Sequence, residues 1–182
     1  ERLAVDQHLR AALHHARDAD ANAEDVAAMV QACVQRFGGL HVAVNNAGIE
    51  GPSDVETADY SDEMWEQVIA TNLTGVWRCM KAELVHMCAV ESGGAIINMS
   101  SIAGLKGFPG ACAYAASKAG VIAITRVAAQ EYADRGIRIN ALCPGMIDTD
   151  MARRGFLSDP QVAQELVDSY PMKRFGSAAE VA

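Results

Sequence analysis

The chain has 182 residues, 15 Lys and Arg against 23 Asp and Glu, a formal charge of −8, and 51% hydrophobic residues. That length suits one domain with a sizeable core, and the apolar share argues against a disordered chain. The acidic balance argues against a nucleic-acid partner, and no apolar run approaches the roughly 18 residues that span a bilayer.

Leu9, Leu13 and Ala16 recur at helical spacing and predict a helix over 1–17, followed by a polar turn at 17–23. Val26, Met29, Val30, Cys33, Val34 and Phe37 form one apolar stripe, a helix ended by Gly38 and Gly39. Residues 40–45 (LHVAVN) read as a short strand and 51–60 as a loop. Ser61 is placed to cap a long helix over about 62–90. Asn72, Thr74 and Gly75 are poor helix formers inside it and predict an irregularity there. A second strand covers 95–99 (AIINM), a Gly-rich loop 104–110, a helix about 111–133 and a third strand 137–142 (IRINAL). Residues 143–150 read as a loop, and short helices follow, one opening at Pro160 behind Ser158 or Asp159. Ser177 and Glu180 have the spacing of a capping box.

Apolar strands and helices thus alternate at least three times. The pattern predicts an α/β fold, a Rossmann-like doubly wound parallel sheet with helices on both faces, in a single domain over 1–182. Ligands in such sheets sit beyond the carboxyl ends of the strands, which singles out 45–48, 100–101 and 144–149.

Cys33, Cys79, Cys88, Cys112 and Cys143 are odd in number and irregular in spacing, as reduced thiols of a cytoplasmic protein would be. The start, 1–10, is polar and has no signal-peptide pattern. Cys79, Glu83 and His86 could share a helix face but have no known zinc spacing, so no metal is expected and the trio reads as helix surface.

Tyr114 and Lys118 stand one helical turn apart on one face. A Tyr of pKa ~10 is a poor base at neutrality, but an ammonium ~4 Å away is worth about 4 kcal/mol at an effective dielectric of 20. That is enough to lower the phenol by up to about three units and make it a general acid/base. Alone, the spacing also occurs by chance on surface helices. Its context is Ser101 at the end of the second strand, Asn45-Asn46-Ala47-Gly48 at the end of the first, Asn72 in the helix between them, and Pro144-Gly145 to Thr149 after the third.

This ordered set resembles the short-chain dehydrogenase/reductase family over about 26–182. The resemblance implies hydride transfer between NAD or NADP and an alcohol or ketone, with Tyr114 as acid/base. Lys118 would hold the nicotinamide ribose and depress the Tyr114 pKa, Ser101 would orient the substrate oxygen, and Asn72 would anchor a water leading to Lys118. Asn46, Ala47 and Gly48 would lie by the adenosine ribose, Asp18 by the adenine, and Pro144, Gly145, Ile147 and Thr149 by the nicotinamide. Residues 104–110 match neither Gly-rich phosphate motif, and the resemblance makes them a connection beside the substrate pocket. A homotetramer or homodimer is implied.

The family's T-G-x-x-x-G-x-G turn does not occur in the sequence. The resemblance therefore implies a longer enzyme of which this chain is incomplete at both ends. The competing reading is an inactive fragment or pseudoenzyme acting as a binding or assembly module.

Overall fold

A computed structural model describes residues 22–182 apart from Ser92 and Phe156. The helix expected over 1–17 and the adenine contact expected of Asp18 lie outside the described residues. The chain divides into two compact units, one ending at Leu142 and the other spanning Cys143–Ala182.

In the first unit, helix α1 (Ala23–Phe37) is capped by the Asn22 side chain at Asp25 N–H. It ends at Gly38, whose φ of 80° is the left-handed conformation that glycine adopts without a Cβ penalty. Of the stripe expected of it, Val26 and Val30 are buried and Met29, Cys33 and Val34 half-buried, whereas Phe37 is exposed. Strand β1 (Val42–Asn45) follows. Ser61 accepts from Met64 N–H and opens α2 (Asp62–Ile69). The irregularity expected around Asn72 is one wide turn of π-helix, Ala70–Thr74, before the rod resumes as α3 (Gly75–Val90). Strand β2 (Gly94–Met99), helix α4 (Cys112–Glu131) and strand β3 (Ile137–Leu142) complete the unit.

The strands form a parallel sheet in the order β1-β2-β3, with Asn45 opposite Asn98 and Met99 opposite Leu142. The parallel sheet flanked by helices is Rossmann-like, as the alternation predicts. Side chains alternate between the faces of a strand. Ala43, Ile96, Ile137 and Ile139 form one core cluster with Met80, Leu84 and Met87 of α3 and Ala128 of α4. Burying each large member contributes about 2 kcal/mol. Val42 and Val44, at the alternate positions of β1, the first strand of the sheet among the described residues, are exposed at 61% and 56%. At the amino end of the sheet, Gly93 has φ of 69° and a Cβ there would stand 2.8 Å from the Gly136 carbonyl oxygen.

The second unit corrects one expectation. Residues 143–150 are not wholly loop. Strand β4 (Ile147–Asp148) pairs in parallel with β5 (Gly176–Ser177), and α5 (Asp150–Arg154) starts where the loop was expected to end. Asp159 caps α6 (Pro160–Ser169), and the capping box at Ser177 and Glu180 opens α7 (Ala178–Val181). All five cysteines are free and half-buried.

Candidate active site

The carboxyl end of β2 meets the first turns of α4, where Lys118 reaches Met99. After β2 the chain turns at Ser101, which is extended and accepts from Ala103 N–H at 3.1 Å. Tyr114 and Lys118 face the same side of α4, with Lys118 Nζ 5.6 Å from the centre of the Tyr114 ring. The Ser101 hydroxyl hydrogen-bonds the Tyr114 phenol. Three of the four expected catalytic residues therefore share one small site.

The fourth, Asn72, is fully buried behind them in the π turn. Its Nδ2 donates to the Ile49 carbonyl at 2.8 Å and to Ser117 Oγ at 3.2 Å, and its Oδ1 accepts from Ile49 N–H at 2.8 Å. Both amide protons are thus committed to protein partners. The side chain fastens the segment after β1 to α4, leaving only lone-pair capacity on Oδ1. The wide turn brings this about, because the inserted residue re-aims the side chains that follow it.

Lys118 is buried and donates to the Met99 carbonyl oxygen at 2.9 Å. Burial lowers its ammonium to about 8. For Tyr114, burial works against the lowering expected from Lys118. Burial raises the phenol above its ordinary value, opposed by the Ser101 hydrogen bond and helped by the nearby Glu50 carboxylate. The phenol is therefore held as a proton donor at neutrality.

Three supporting features were not legible in advance. Ser100 Oγ donates to the Lys118 carbonyl at 2.8 Å, and Ser117 Oγ donates to the Tyr114 carbonyl at 2.7 Å. Ser117 stands three residues after Tyr114, a helical spacing that could have flagged it. Gly104 lets the connection after β2 touch α4, since a Cβ there would lie 2.7 Å from the Lys118 backbone.

Asn46 and Ala47 are exposed beyond the end of β1. A Cβ on Gly48 would stand 3.2 Å from Asn72 Oδ1 and 3.5 Å from Lys118 Nζ, so this bare backbone adjoins the site. The Cys79, Glu83 and His86 trio is not helix surface. Glu83 is buried at 3% exposure, and His86 Nε2 is buried without a hydrogen-bond partner. No metal-holding group of His, Cys, Asp or Glu occurs among the described residues.

Pro144, Gly145, Ile147 and Thr149 belong to the second unit. There the Tyr170 hydroxyl accepts from Met146 N–H at 3.2 Å, and the Tyr170 ring packs on Gly145. Ile147 pairs with Gly176, and Thr149 Oγ1 caps α5 at Ala152 N–H.

A family profile described as Enoyl-(Acyl carrier protein) reductase matches residues 4–182. The chain belongs to the short-chain dehydrogenase/reductase family. It is 43% identical over 162 residues to 3-oxoacyl-[acyl-carrier-protein] reductase FabG of Staphylococcus aureus, covering 89% of this chain and 63% of the relative. The crystal structure of levodione reductase superposes with a TM-score of 0.84 at 36% identity, covering 88% of this chain and 63% of that one. The structure of ElxO with NADP bound superposes at 0.80 with 39% identity, covering 88% and 64%. The chain thus spans somewhat under two thirds of the length of these relatives.

Proposed function

We propose that this chain carries the catalytic part of an NAD(P)-dependent alcohol dehydrogenase or carbonyl reductase. The observation that carries the reading is the meeting of Ser101, Tyr114 and Lys118 at the carboxyl end of β2, with Asn72 fastened behind them. An assembly module has no physical need for a buried ammonium beside a hydrogen-bonded phenol.

The residues present fit a dinucleotide. Exposed Asn46 and Ala47 and the bare backbone of Gly48 offer a surface on which a ribose could lie, and Lys118 Nζ adjoins it. Pro144, Gly145, Ile147 and Thr149, in the second unit, are read as the residues that would meet the nicotinamide. Thr149 keeps its hydroxyl proton for that purpose, because it serves α5 only as an acceptor. A bound nicotinamide supplies or accepts hydride at the carbon bearing oxygen.

The protein's part is position and proton traffic. Ser101 Oγ orients the substrate oxygen. Tyr114 gives its proton to that oxygen when a carbonyl is reduced, and recovers one from the side of Lys118. A phenol held protonated is in the state that reduction requires. We read both units as parts of one family domain, working on a small alcohol or ketone in the cytoplasm, as a homotetramer or homodimer. No described helix is long and apolar enough to cross a membrane.

A fluorescence titration with NADH and, separately, NADPH tests the reading. Saturable binding of either supports it and names the cofactor. A folded sample that binds neither moves the weight to the inactive binding or assembly module.

A further inference from the structure

Among the described residues, two charged side chains are buried, Lys118 and Glu83. The site above uses the first and leaves the second unexplained. Glu83 lies on α3 and accepts from Asn45 Nδ2 at 3.1 Å. The same Nδ2 donates its other proton to Asn98 Oδ1 at 2.9 Å. Asn98 Nδ2 in turn donates to Thr125 Oγ1 at 3.0 Å and to Met80 Sδ at 3.4 Å. Thr125 Oγ1 donates to the Val121 carbonyl at 2.6 Å. One hydrogen-bonded chain thus runs from α3 through β1 and β2 to α4, and Asn45 and Asn98 are partners in the sheet register.

Asn45 is the last residue of β1. With both amide protons committed, its side chain cannot turn without breaking two buried hydrogen bonds. Four residues later, Asn72 holds both the N–H and the carbonyl of Ile49. The three residues between, Asn46, Ala47 and Gly48, are therefore pinned at both ends. A carboxylate has no cheap place in an apolar helix face, and this one stands where the first pin needs an acceptor.

We infer that Glu83 is a positioning residue for the Asn46–Gly48 turn, acting through the Asn45 amide to hold that turn ready for the dinucleotide. The inference rests on the proposed function for the identity of the ligand. The clamp itself is a property of the chain and is read without any dinucleotide.

The reporter is the Ile49 amide, which is protected by Asn72 only while the turn keeps its place. Hydrogen exchange is followed by NMR in the wild-type chain, in Glu83→Leu and in Glu83→Gln. The leucine fills a similar space but offers no acceptor, and the glutamine keeps one. The expected result is Ile49 exchange about tenfold faster in Glu83→Leu, the scale of one lost buried hydrogen bond. The Ile97 amide in the middle of β2 should change less, and Glu83→Gln should match wild type.

Unchanged Ile49 exchange in Glu83→Leu would overturn the inference. So would equal acceleration at Ile49 and Ile97, which would mark general loosening. Tenfold faster exchange at Ile49 in Glu83→Gln would overturn it too, and keeps the test decisive if Glu83→Leu does not fold. Failure of the functional reading looks different, since it shows as wild-type protein that binds neither NADH nor NADPH.

Discussion

The two ends of the sheet are built from different physics. Towards the amino end, Ile96, Ile137, Ile139 and Met87 fill space, held by burial and dispersion. Towards the carboxyl end, Asn45, Asn72, Asn98, Ser100, Ser117 and Lys118 are equally buried but fix one another by directed hydrogen bonds. Apolar packing tolerates small shifts, whereas a hydrogen bond fails within a few tenths of an ångström. The molecule thus keeps its adaptable interior away from the chemistry and its exacting interior around it.

The largest test of that contrast is Tyr114→Phe. It deletes the transferable proton and keeps the ring, so turnover should fall about 10³-fold with the fold unchanged. An NAD(P)H oxidation assay with circular dichroism checks both. Ile96→Ala strikes the apolar end and should cost about 3 kcal/mol of stability in urea unfolding. Its effect on any remaining activity should follow the folded fraction alone.

A pH series sharpens the comparison. Burial pushes Glu83 from its ordinary 4.5 up to about 7. The folded chain therefore keeps a proton that the unfolded chain releases. Stability from this group is complete below about pH 4.5 and is lost as the pH rises through about 7. Wild type should lose up to about 3 kcal/mol by this route towards alkaline pH, and Glu83→Gln should keep it. Urea midpoints across that range would show the two curves separating. The smallest effect is expected of Ser117→Ala, about 1 kcal/mol, because Asn72 keeps its bonds to Ile49.

The apolar end was nearly readable from spacing alone. The α1 stripe, the three strands and the Gly38 stop follow from side-chain periodicity and from one residue that tolerates positive φ. At the polar end, residue type was legible but direction was not. Asn72 announced a break in its helix, yet not that its amide would reach Ile49. The Tyr114 and Lys118 spacing placed both on one face but could not show that the ammonium aims at Met99 of a neighbouring strand. Glu83 looked like a solvated charge because nothing in α3 itself marks Asn45 as its partner. Two-residue strands such as β4 and β5 are too short to have a period at all.

The wide turn at Ala70–Thr74 has a consequence for editing the gene. It is one residue longer than a regular helix needs. Deleting a single codon there would heal the helix and satisfy its backbone better than nature does. Because the surplus residue is absorbed within one wide turn, its loss would leave both flanks of the rod facing as they do and would move only the side chains of the turn itself. A change that improves the local helix would carry the Asn72 amide off Ile49 while the apolar face of α3 stays on the sheet. This protein stores part of its site as a surplus residue, and a shorter chain is not a simpler one.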